Sequence, residues 1–178
     1  MTQDRIDKIT TIVDGYDDMC YSKQLILERL LGDSDLLEML NNPKLSVDKS
    51  DQYYNVNVFS HLVNPNIEPE VSNYVAFEVD DNSIATNDLF VNKTITFLVV
   101  CDEKTINTKW GMDRHDVIAA IIKDLFNWSN LLGVHIVKSS DVADVSKIGY
   151  IYREMKFMTV SLNGLTRGVA QNAHDKRS

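Results

Sequence analysis

The sequence predicts an α+β fold: about five strands, several helices, and a helical segment at the N-terminus. Three observations predict it. Residues 93–102, KTITFLVVCD, alternate as a strand does, with Ile95, Phe97, Val99 and Cys101 on one face. Residues 113–126 repeat apolar side chains at helical spacing, through Val117, Ile118, Ile121, Ile122, Leu125 and Phe126. The element order along the chain reads helix, polar loop, three strands, helix and two strands.

At 178 residues the chain has the length of one domain with a substantial core. The expected division is an N-terminal helical extension over 1–21, a single domain over 22–163, and a flexible tail over 164–178. A hydrophobic fraction of 44% and a charged fraction of 25% are those of a globular chain, and no apolar run is long enough to span a bilayer. Acidic residues break the N-terminal stretch, leaving no signal-peptide core, so a chain kept in the cytoplasm is expected. Cys20 and Cys101 are far apart and form no CxxC pair, which reads as two reduced thiols. A net charge of −8 excludes general electrostatic binding of nucleic acid, which needs clustered Lys and Arg.

The elements follow in order. Residues 3–13 place Ile6, Ile9 and Val13 at helical spacing, and Gly15 ends that segment. A helix after Ser22, taken as its N-cap, carries Leu27, Leu30 and Leu31 up to Gly32. A shorter helix capped by Asp33 or Ser34 carries Leu36, Leu37 and Leu40 until Pro43. Residues 44–55 are polar and read as a loop. Strands are expected over 54–63, 73–80, 93–102, 133–139 and 150–163, with loops over 81–92 and 140–149. The strand over 93–102 becomes apolar on both faces, so it should be covered on both, by a helix, a second sheet or another subunit.

The stretch Trp110–Trp128 holds the best catalytic candidate, DRHD. Asp113 precedes the helical run and suits an N-cap, with Asp116 three residues later in the capping-box position. Both acids favour the positive end of the helix dipole, which leaves Arg114 and His115 as first-turn residues facing water. A catalytic reading of Asp113, His115 and Asp116, with Asp102 or Glu103, needs a nucleophile, metal or phosphate loop. No HExxH, GxSxG, GxxxxGK[ST] or GxGxxG accompanies them. His61, His135 and His174 are scattered and make no spaced ligand set; His61 suits an exposed strand end and His135 a half-buried strand position. No catalytic residue, cofactor or metal is therefore expected.

The order of TITFLVVCD, the helix DRHDVIAAIIKDLFNWS, LLGVHIVKSSD and the closing YIYREMKFMTVSLN resembles the tail-terminator family of long-tailed bacteriophages and related neck and tail-completion proteins. The early helices followed by NVNVFSHLVNPNIEPEVSNYVAFEV look similar, so the resemblance runs from about residue 22 to 163. It implies a small α+β subunit with a mixed or antiparallel sheet covered by helices. It further implies a virion protein of the neck, not an enzyme, made in the host cytoplasm. Six copies would form a ring that caps the tail tube, ends its polymerisation and joins tail to head. Head-closure, adaptor or assembly roles in the same region are alternatives. The implied partners are the chain itself, the tail tube protein, head connector and neck proteins, and a sheath if the tail contracts; no membrane is implied. DNA only passes through.

Loops over 80–92 and 105–109 flank the best strand, which makes Asp81, Asn82, Asp88, Thr105, Asn107 and Lys109 candidate interface residues. Asp80, Asp81, Asp88, Asp102 and Glu103 are candidates for a channel wall that repels phosphates.

Overall fold

The computed structural model describes residues 2–5, 18–63, 72–83, 90–145 and 149–162. Helices α1 (Asp18–Leu31) and α2 (Ser34–Leu40) come first, then a 3-10 turn (Ser50–Tyr53), then β1 (Val58–Phe59), β2 (Asn73–Ser83) and β3 (Phe90–Asp102). Helix α3 (Arg114–Phe126) follows, then β4 (Val137–Val145) and β5 (Tyr150–Leu162). The five strands form one sheet in the order β1-β2-β3-β5-β4. Only β1 and β2 pair in parallel; every other pair is antiparallel, so the sheet is mixed. The α+β expectation is met.

The three helices cover one face. Odd-numbered side chains of β3, from Ile95 to Cys101, turn towards them and are fully buried. At the centre Phe97 meets Phe126 of α3 at 4.9 Å between ring centroids, and Phe157 of β5 edge-on at 5.6 Å. The edge-on pair with Phe157, at 89°, sets a negative ring face against a positive ring edge. A second, smaller cluster of Tyr74, Ala76 and Val100 lies on the opposite face, packed by Phe59, Val63 and Tyr152. Val100 of β3 is thus buried on the second face too, by side chains of its own sheet and Val63, and not by a helix or a second sheet among the described residues.

Several boundaries differ from expectation. Ser22 does not cap a helix: α1 begins at Asp18 and crosses the expected division at residue 21. Its buried stripe is Ser22, Ile26 and Leu30, one turn apart each time, so Leu27 and Leu31 only flank the core. Asp33 does cap α2, accepting from the Leu36 amide at 2.7 Å, and Asn41 closes the helix in a left-handed conformation. The strand expected over 54–63 shrinks to Val58–Phe59, because Asn55 takes a positive φ and the amides of Val56 and Asn57 turn back to the Tyr53 carbonyl. The fourth strand lies at Val137–Val145 instead of 133–139, so half of the expected loop is strand. The segment 6–17 and the tail 164–178 lie outside the described residues.

Cys20 is exposed and Cys101 buried, where desolvation pushes the Cys101 thiol up to about 12. No helix among the described residues is long and apolar enough to cross a membrane.

Candidate functional site

The first turn of α3 departs from the expected picture in a consistent way. Asp113 stands at the N-cap position, yet its carboxylate makes no capping bond; its carbonyl accepts from the amides of Asp116 and Val117. His115 does not face water. It shares the stripe of Ile118, Ala119 and Ile122, and only 7% of it is exposed. Helical periodicity alone puts position 115 three and four residues ahead of those core positions.

Arg114 is not a solvent residue either. Its Nε donates to the Thr105 carbonyl at 2.7 Å and its Nη1 to the Met39 carbonyl at 2.8 Å. The second bond puts a cation on the carbonyl end of α2, where the helix dipole favours it. The adjoining Leu40 carbonyl accepts from Asn73 Nδ2 at 3.2 Å. Asn73 Oδ1 in turn accepts from the Thr105 hydroxyl, and the Asn73 carbonyl accepts from Asn57 Nδ2 at 2.7 Å. Asn57 and Asn73 are fully buried, so this network satisfies polar groups that water cannot reach.

Asp116 points to the sheet. Its Oδ1 accepts from Arg153 Nη1 and lies 3.3 Å from His115 Nε2. Arg153 also forks onto Asp141 of β4, Nε to Oδ1 at 2.6 Å and Nη2 to Oδ2 at 2.9 Å. Hydrogen bonding to Arg153 holds the Asp141 carboxyl at about 2, below its ordinary 3.8, and raises Arg153 in return. Lys138 adds a bond to the same carboxylate at 2.8 Å.

Asp113, His115 and Asp116 each bring one potential ligand atom within 4.8 Å of the others. That spacing can accommodate a cation. Arg153 already neutralises Asp116, however, and the positive end of α3 opposes further positive charge. The cluster is furnished as an ion-pair anchor between α3, β5 and β4. His115 Nδ1 is buried without a hydrogen-bond partner among the described residues.

The candidate interface and channel residues do not converge. Asp80 and Asp81 stand opposite Thr94 and Lys93, while Asp102 ends β3 nine residues beyond Lys93, about 30 Å along the strand. Asp80 is exposed. Asp81 is bound at 3.0 Å to Lys93, whose side chain is buried. Asp102 caps the 3-10 turn Glu103–Thr105 through the Lys104 amide, and Glu103 is exposed. Thr105 belongs to the Asn73 network. Asn107 is exposed and bridges to Asp113, and Lys109 lies over the Trp110 ring at 4.5 Å. The backbone of Asn82 continues β2; Asp88 lies outside the described residues. His61 is exposed as expected. His135 is exposed also, ahead of β4 instead of half-buried within it.

β4 pairs only with β5, and β1 covers only Val75 and Ala76 of β2, so among the described residues both edges of the sheet are open. Near the β4 edge, on the face away from the helices, Val137, Val142, Met158 and Val160 are 39–58% exposed. Sequence reasoning missed Arg153, Asp141 and Asn73. Arg153 had a readable signal: it shares the parity of Met155 and Phe157, so a charge was aimed at the core face and needed a partner.

Residues 33–159, well over half of the chain, match the family model YomW. No curated protein matches the chain. The chain belongs to the YomW family, a phage-derived one, and is a phage-associated protein.

Proposed function

We propose that this phage-associated chain is a structural subunit of the particle's neck, which closes the head-proximal end of the tail tube as a ring and takes part in joining head to tail. The supporting observation is the pair of sheet edges that are open among the described residues, on opposite sides of one sheet. Cyclic rings are built from heterologous contacts, in which one patch meets a different patch on the next copy. An edge at β4 and another along the outer half of β2 are two such patches. Open edges are normally blunted or covered, and the exposed valines and Met158 beside β4 add apolar area for a neighbour to bury.

In such a ring the chain works by surface complementarity and catalyses nothing. Its net charge of −8 suits a passage for DNA, since like charges keep phosphates off the wall. Asp80 and the pair Asp102 and Glu103 lie towards opposite ends of the sheet, so each end is a separate candidate for the channel wall. Imaging and light scattering of the purified protein, alone and with tail tubes, test the reading: closed rings, hexameric by the resemblance, are expected on tube ends. Monomers throughout, with tubes present, overturn it. A head-closure or assembly role predicts the same subunit shape without tube binding, and the composition of finished particles separates these.

A further inference from the structure

Between α2 and α3 lies a groove of about 310 Å³ that the ring reading does not use. Its floor is apolar, made by Val117, Ala120 and Ile121, and its rim carries Asp33, Asp35 and Asp124. Asp33 is occupied as the cap of α2. Asp35 and Asp124 are exposed, and no lysine or arginine lines the groove. Such a floor and rim suit a cationic segment with small apolar side chains.

The chain carries such a segment. Residues 163–178, NGLTRGVAQNAHDKRS, hold Arg167, Lys176 and Arg177 against the single acid Asp175, on a chain whose net charge is −8. They also offer Ala173 for the floor, eleven residues past Leu162. The segment leaves the sheet at Leu162. Asp116, which borders the groove, is bonded to Arg153, nine residues earlier in the same strand, about 30 Å away. Lys176 lies fourteen residues past Leu162, a reach of up to about 46 Å in extended form. The span is within the segment's length.

We propose that the C-terminal segment 163–178 docks in the α2–α3 groove of its own chain, with Lys176 and Arg177 against Asp35 and Asp124 and Ala173 over Ile121. The contact is intramolecular and does not rest on the ring. Because the rim is exposed, it weakens as salt screens the charges.

Lys176 is the segment's one lysine, so carbodiimide cross-linking of the full native chain, read by peptide mass spectrometry, tests the contact directly. The expected result is a link from Lys176 to Asp35 or Asp124 within monomer-sized protein. It should be lost in the Asp35→Asn/Asp124→Asn double variant and diminished at high salt. Circular dichroism checks that the variant is folded. Links from Lys176 spread over other acids, links found only between two copies, no link at all, or a link to another rim acid that survives the double substitution overturn the proposal.

Discussion

Arg153 of β5 holds Asp141 of β4 through two parallel bonds of 2.6 and 2.9 Å, and with its remaining nitrogen reaches Asp116 of α3. In register Asp141 faces Met155 and Arg153 faces Ala143, so the fork is a diagonal cross-strand pair. Three elements distant in sequence therefore meet on one guanidinium. Replacing Arg153 with Met keeps its packing and leaves both carboxylates without their main partner. The expected loss is about 2–3 kcal/mol, below that of a fully buried pair because Asp116 is half exposed. Arg153→Lys, which cannot fork, should recover only part of it. Urea unfolding measures both.

The same pair makes stability depend on acid. The Asp141 carboxyl is depressed to about 2 in the fold, from an ordinary 3.8. A depressed carboxyl contributes its stability above its unfolded value and loses it as the pH falls through the folded one. The contribution, about 2 kcal/mol, should be complete at pH 5 and disappear between about pH 4 and 2. Unfolding free energy against pH should show this slope in the native chain and a weaker one in Arg153→Met. An unchanged slope would remove Asp141 from the account.

The buried face of α3 gives a graded series. Ile122 is fully buried, whereas Ile121 only flanks the core at the groove. Ile122→Ala should cost about 2–5 kcal/mol and Ile121→Ala about 1 kcal/mol. His115→Ala, on the buried stripe, should cost more than Ile121→Ala, opposite to what a solvent-facing histidine gives. Thermal denaturation of the three variants orders them.

Asn73 joins α2, β2 and the turn after β3. Asn73→Leu leaves the Leu40 carbonyl without its side-chain donor, while the Thr105 hydroxyl keeps the Asp102 carbonyl as acceptor at 3.2 Å. A buried group left unpaired costs about 1–3 kcal/mol, so a loss of that size is expected in denaturant titration. Asn73→Ser, if it destabilised no less, would still fit; a neutral Asn73→Leu would not.

The open β4 edge predicts an assembly defect without a folding defect. Val142 is 58% exposed, so Val142→Asp should leave the melting temperature within about 2 °C while abolishing rings on tube ends. Rings formed normally by this variant and by Val160→Asp would exclude that face as the subunit contact.

The sequence by itself determined the fold class, the strands at the sheet centre and the helix after them. Their apolar side chains repeat with periods of two and 3.6, and periodicity is local information. The cap before Leu36 was narrowed to Asp33 or Ser34 and is Asp33, whereas Ser22 lies inside α1 and the Asp113 carboxylate makes no capping bond. His115 was legible too, since position 115 lies on the stripe of Ile118 and Ile122, but its polarity argued against burial. Only the tertiary structure decided β4. Its residues 140–145 carry no apolar alternation, and they form a strand because Arg153 and Tyr152 on the neighbouring strand bind Asp141 and Asp144. It likewise decided the roles of Arg114, Asn73 and Asp116, whose partners lie 75, 33 and 37 residues away, and the separation of Asp80 from Asp102 at opposite ends of the sheet. A polar side chain's partner is set by where the chain folds back, and no local period records that.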